Sequence, residues 1–156
     1  MAEYDYRVTV AWTGDRGSGT SGWRDYGRQS LVAAEGRPPI EASADRVFHG
    51  DAERWNPELL LLAALSQCHM LSYLRQAALA GVLVVGYRDE AAGRIAVQAD
   101  GSGRFVGATL HPQVTLAEGS MLPAARRLHE PAARQCFIAA SVDFPVHREP
   151  SFRVRE

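Results

Sequence analysis

The chain has 156 residues and no lysine, all 17 of its basic residues being arginine. Schiff-base chemistry, a lysine nucleophile and a phosphate-cradling P-loop all need an ε-amino group, so they are excluded. Charge of either sign is not in excess. The 17 basic residues face 18 acidic ones, leaving a formal net charge of −1, and no overall basic field exists to gather nucleic acid or an anionic membrane surface. The longest wholly apolar run, Leu59 to Leu65, falls far short of the roughly 20 residues that span a bilayer. Met1 to Trp12 alternates polar and apolar residues and lacks the basic start and apolar block of a secretory signal. The expectation is a soluble cytoplasmic protein that engages neither nucleic acid nor membrane.

Cysteine is scarce, with only Cys68 and Cys136. Two cysteines make no disulfide framework, and in a reducing compartment they stay as thiols. Plain core packing and thiol chemistry are the two readings left open for them.

Hydrophobic residues make up 46% of the chain, enough for one core, and the length suits a single domain over 1–156. Tyr4, Tyr6, Val8, Val10 and Trp12 alternate with polar or small residues, the period of a strand with one buried face. A glycine-rich turn over Thr13 to Thr20 leads to a return strand from Trp23 to Ala33. Gly36 to Trp55 reads as an irregular connection.

The clearest element begins at Asn56-Pro57-Glu58. Asn caps, Pro suits the first helical position, and Glu meets the positive end of the dipole. The helix runs to Ala80 with Gly81 as its stop. Leu59 to Leu65 is apolar all round, which places this helix inside the protein or between two chains. Val82 to Tyr87, Arg94 to Ala99 and Arg104 to Leu116 read as three strands of an antiparallel meander. A second helix is expected over about Leu122 to Ala140, with Pro131 kinking or interrupting it, and the tail through Phe152 and Val154 is extended. The order is that of the α+β class, with each cysteine on a helix.

Cysteine reacts as the thiolate and needs nearby positive charge or dipoles to do so at neutral pH. Arginine keeps its charge and also donates hydrogen bonds, so an arginine oriented by a carboxylate is the expected activator. Arg16 in the glycine-rich turn and Glu58 at the helix start are candidates, beside the plainer readings of a solvated turn arginine and a dipole partner.

Asn56-Pro57-Glu58 followed by Ala63-Ala64-Leu65-Ser66-Gln67-Cys68 resembles the central-helix motif of the OsmC/Ohr family. Arg16-Gly17-Ser18-Gly19-Thr20 is similar to that family's first turn. Cys136 to Val142, with Phe144-Pro145-Val146, is similar to the segment of its second cysteine. The three matches fall in family order and cover nearly the whole chain. The resemblance implies an α+β OsmC-like fold in an intertwined homodimer, and a peroxidase that reduces alkyl or fatty-acid hydroperoxides at the expense of a dithiol reductant, which the family suggests is of the dihydrolipoyl type. It implies that Cys68 attacks the peroxide, Cys136 resolves the sulfenic acid, and Arg16 and Glu58 activate and orient. No metal or organic cofactor is implied. Gln67, His69 and Pro131 depart from the usual pattern beside the cysteines.

Glu58 and Cys68 are 68 − 58 = 10 residues apart, so along a straight helix about 15 Å separates them. They cannot meet within one chain, but two such helices packed antiparallel about an axis near Ala63 bring Glu58 of one copy to Cys68 of the other.

Other readings remain. A Cys₂His₂ zinc site from Cys68, His69, His129 and Cys136 meets the difficulty that helix neighbours point about 100° apart. A Cys/His hydrolase needs His69, His49, His111 or His147 brought to Cys68. The same fold without catalysis would bind a hydrophobic ligand at the dimer interface. Met70, Leu71, Tyr73 and Leu74 read either as an apolar channel or as core.

Overall fold

The computed structural model describes all residues, 1–156. They divide into two compact units, 1–60 and 61–156. The first unit holds a three-stranded antiparallel sheet in the order β1 (Thr9–Trp12), β2 (Ser30–Ala33) and β3 (Ile40–Ala42). The return strand is therefore shorter than the Trp23 to Ala33 expected. Residues 13–29 form a long turn instead, tied down where Trp12 Nε1 donates to the Gly27 carbonyl at 2.8 Å and where Arg28 lies over the rings of Trp23 and Tyr26. The connection read as irregular contributes β3 and one tight helical turn over Arg46–Phe48.

Helix α1 (Pro57–Leu79) starts where the sequence places it. Asn56 Oδ1 accepts from the Leu59 N–H at 2.8 Å, one of the donors that the first turn leaves unpaired. At the other end Gly81 takes φ +69°, and the Val82 N–H returns to the Ala77 carbonyl at 2.9 Å, closing the helix as glycine permits. Along α1, Leu65, His69, Tyr73 and Ala77 are buried and mark one stripe at four-residue spacing. Leu59, Ala63, Gln67 and Leu71 repeat the same spacing on an exposed stripe. An all-round apolar sequence is therefore covered on one side only.

The second unit does not form the simple meander expected. Arg104 to Leu116 is two strands, β6 (Gly103–Leu110) and β7 (Pro112–Leu116), which join different sheets. Pro112 cannot donate to a ladder, and the chain changes sheets there. One sheet is β4 (Val84–Asp89), β7 and β9 (Ser151–Val154); the other is β5 (Ala92–Val97), β6 and β8 (Val146–Arg148). The extended tail supplies β8 and β9, each parallel to its neighbour. At Gly93 a Cβ would stand 2.7 Å from Leu62 Cδ2 and 2.9 Å from the Phe105 ring, so glycine allows β5 its close approach to α1.

The second helix is also corrected. It is two short pieces, α2 (Leu122–Arg127) and α3 (His129–Arg134), and it ends before Cys136. Pro131 has no N–H for the Arg127 carbonyl, and its ring clashes with that carbonyl, so the ladder breaks after Arg127. Cys136 lies in the link after α3 and not on a helix. The core of this unit gathers Tyr73 and Ala77 of α1, Val114 and Leu116 of β7, Ala125 and Ala132.

Candidate functional site

The two thiols meet within the second unit. Cys68 projects from the middle of α1 and is half-buried, while Cys136 is 1% exposed. Burial pushes the Cys136 thiol up to about 11, backbone N–H groups of Ala139 and Ile138 oppose this, and the Cys68 side chain within hydrogen-bonding reach adds to it. Cys136 is thus a neutral thiol at pH 7 facing the sulfur of Cys68. Both cysteines are free.

A cavity of about 610 Å³ opens at Cys68. Ala64, Leu71, Ser72 and Arg75 of α1 line one side, on the helical face that carries Cys68, and Phe137 and Ile138 line the other. Gln67 and Gln135 flank it, and no histidine lines it. Leu71 therefore serves the cavity, whereas Tyr73 belongs to the core, with its hydroxyl donating to the Ala125 carbonyl at 3.1 Å. The cavity wall is pinned by Gln135, whose Oε1 accepts from Gln76 Nε2 at 2.8 Å and Arg75 Nη1 at 3.2 Å.

His69 points away from this cavity into the core. Its Nε2 lies 3.0 Å from Nδ1 of His129 with the two ring planes within 17° of each other, and Tyr73 stacks on His129 at 4.2 Å. Burial pushes both histidines down to about 4; the Arg148 charge adds to this at each, and the nearby His69 ring adds to it at His129. The two neutral rings share one proton. In either tautomer one N–H and one lone pair stay unpartnered, at His69 Nδ1 and His129 Nε2. This pair was not legible in the sequence, because 60 residues separate its members. No group of three or more His, Cys, Asp or Glu side chains stands together to hold a metal ion. The four residues considered for zinc form two separate pairs, the cysteines at the cavity and the histidines in the core.

Arg16 and Glu58 belong to the first unit. Arg16 sits in a turn organised by Asp15, whose carboxylate accepts from the N–H groups of Gly17 and Gly19 at 2.8 and 2.9 Å. Those donors hold the Asp15 carboxyl below its usual range. The Arg16 guanidinium reaches only the Arg24 carbonyl, at 3.4 Å, and lines a second cavity with Arg28, Arg46, His49 and Asp51. Glu58 is half-buried, with its Oε2 buried and unpartnered. Sequence reasoning missed Arg75, the only charged residue lining the Cys68 cavity. Its spacing of seven residues from Cys68, two helical turns, was the available signal.

The described fold matches known structures along nearly its whole length. An OsmC-like protein of unknown function from Vibrio cholerae shares 30% identity with a TM-score of 0.84, covering 96% of this chain and all of that one. An organic hydroperoxide resistance protein OsmC from Legionella pneumophila shares 16% identity at a TM-score of 0.70, over 97% and 98% of the two chains. An organic hydroperoxide resistance protein from Elizabethkingia anophelis shares 17% at 0.69, over 99% and 100%; at such identities these two speak for the fold alone. No curated protein sequence matches. No helix is long and apolar enough to cross a membrane. The family model for OsmC-like proteins matches residues 50–149, from before the α1 cap to beyond the Cys136 segment, and the chain belongs to the OsmC-like family.

Proposed function

We propose that this chain is a cytoplasmic cysteine peroxidase that reduces organic hydroperoxides, the whole of 1–156 acting as one OsmC-like domain within a homodimer. The observation that carries the reading is the meeting of Cys68 and Cys136 beside a cavity with apolar walls. The Cys68 thiolate attacks the distal peroxide oxygen; the O–O bond breaks, the alkoxide takes a proton and leaves as the alcohol, and Cys68 becomes a sulfenic acid. Cys136 then attacks the Cys68 sulfur, its proton leaves with the hydroxyl as water, and a disulfide remains. An external dithiol, such as a lipoylated protein, returns both thiols. A buried neutral thiol suits the resolving role and the half-buried Cys68 suits the attacking one.

Arg16 holds the peroxide and favours the thiolate in this reading, and Glu58 orients Arg16. Glu58 Oε2, buried and without a donor, is an acceptor waiting for a guanidinium. The dimer is supported by the exposed stripe Leu59, Ala63, Gln67 and Leu71. Antiparallel pairing of two such stripes brings Glu58 of one copy to Cys68 of the other.

Cys68→Ser is expected to abolish reduction of tert-butyl hydroperoxide. Cys136→Ser permits one turnover and then stalls as a sulfenic acid that dimedone labels at Cys68. Labelling at Cys136 in a Cys68→Ser protein that still turns over would reverse the assignment. The apolar cavity also suits a binding protein for a hydrophobic ligand; absence of turnover with every hydroperoxide and dithiol tried would favour that reading.

A further inference from the structure

We infer that Arg75 is a specificity residue of the Cys68 cavity that recognises the carboxylate of an anionic, apolar-chain substrate. The inference rests on the peroxidase reading for the identity of the reacting group, but its geometry stands apart from it. Arg75 follows Cys68 by seven residues on α1, so the two project from the same helical face about 10 Å apart along the axis. Within one chain the walls between and opposite them are Leu71, Phe137 and Ile138, all apolar, and Arg75 is the only charged residue of the lining. The Arg75 guanidinium donates one bond to the neutral Gln135 amide and forms no ion pair. Four of its five N–H donors therefore remain for a ligand, and Gln135, held by Gln76 as well, keeps the group at the cavity.

A thiol at one end, a hydrocarbon-compatible middle and an unpaired guanidinium at the other end fit one class of molecule. That class is a fatty-acid hydroperoxide whose peroxide lies about 10 Å from its carboxylate. Guanidinium and carboxylate pair bidentately, so Arg75 selects the free acid over its ester and sets which oxygens reach Cys68.

Two measurements test this. In turnover, linoleic acid hydroperoxide is compared with its methyl ester. The ratio of their kcat/KM values is expected to favour the acid in the unmodified protein, and to fall about fivefold in Arg75→Met, mainly through KM. Arg75→Lys restores part of the ratio because it keeps the charge. A structural role alone would lower both substrates together and leave the ratio in place. In binding, decanoate and decanol are titrated calorimetrically into the reduced protein, with no peroxide present. Decanoate is expected to bind about fivefold more tightly than decanol, a difference that disappears in Arg75→Met and shrinks with salt. Equal affinity for the two in the unmodified protein, or a preference surviving Arg75→Met, overturns the inference even if peroxidase activity is high. Charge-selective binding without any turnover would instead defeat the peroxidase reading and leave Arg75 in its role.

Discussion

The two units cover their apolar residues to very different extents. In the second, Tyr73, Val114 and Leu116 are wholly buried, enclosed by α1, β7 and the helical pieces α2 and α3. In the first, all four residues of β1 are exposed, Val10 at 64% and Trp12 at 47%, and Val8 before it is exposed at 69%. One unit completes its own core, while the other carries a strand with neither face covered. Exposed apolar surface of this kind is what the proposed dimer would cover. The difference teaches that an alternating strand pattern specifies which residues want cover without ensuring that the chain itself provides it.

The comparison breaks most severely at Leu116. Leu116→Ala empties part of a closed core and is expected to cost about 2–5 kcal/mol, read as a lower urea midpoint with unchanged slope. Val10→Ala, at an exposed position, should shift the midpoint of a dilute sample by no more than about 0.5 kcal/mol. Equal effects at the two positions would mean that the first unit has a closed core after all.

Acid sharpens the contrast, because the buried histidines lie only in the second unit's core. His69 and His129 titrate near 4 when folded and near the ordinary 6.5 or so when unfolded. The unfolded chain therefore binds more protons between those values, and the stability they confer is complete above the unfolded value and lost as pH falls toward the folded one. The loss expected between about pH 7 and pH 5 is on the order of 2 kcal/mol for the first histidine to protonate. Tyr73, which stacks on His129, and Tyr87, whose ring lies against Tyr73, stay neutral throughout, burial having raised both. Chemical denaturation at the two pH values measures the loss, and a flat profile would count against neutral rings sharing one proton.

A further expected effect concerns association. Val10→Asp puts a charge on the uncovered strand and is expected to weaken the proposed dimer about tenfold or more while leaving the monomer folded, as light scattering and circular dichroism would show. An unchanged association constant would direct attention from β1 to the exposed stripe of α1.

How much was legible in the sequence follows from how local each signal is. The start and stop of α1 were read from Asn56, Pro57 and Gly81 because caps act within one turn. The boundary between β6 and β7 was not, because one residue, His111, separates two strands whose hydrophobic period continues across it. Pro131 was seen as a helix interruption, yet not that the helix would end short of Cys136. At the site, the proximity of Cys68 and Cys136 was expected only through the family resemblance, since nothing in the spacing of residues 68 apart brings them together. The pairing of His69 with His129 depends wholly on tertiary packing. Arg75 lies two helical turns beyond Cys68, a spacing that places it on the same face, but nothing in the sequence shows that this face borders a cavity.

The end of α3 at Arg134, two residues before Cys136, bears on how the thiols would join in the proposed reaction. A disulfide needs Cα atoms about 4.4–6.8 Å apart and a torsion near 90° about the sulfur bond. A cysteine inside a long helix would have to strain several ladder bonds to meet that demand. Cys136 instead hangs on two short-range bonds, its N–H to the Ala133 carbonyl at 3.3 Å and its carbonyl to the Ala140 N–H at 3.0 Å. In the proposed reaction the adjustment would be confined to one turn of chain, so Cys136, beyond the end of α3 at Arg134, would be the compliant half of the pair and Cys68, held in α1, the fixed half.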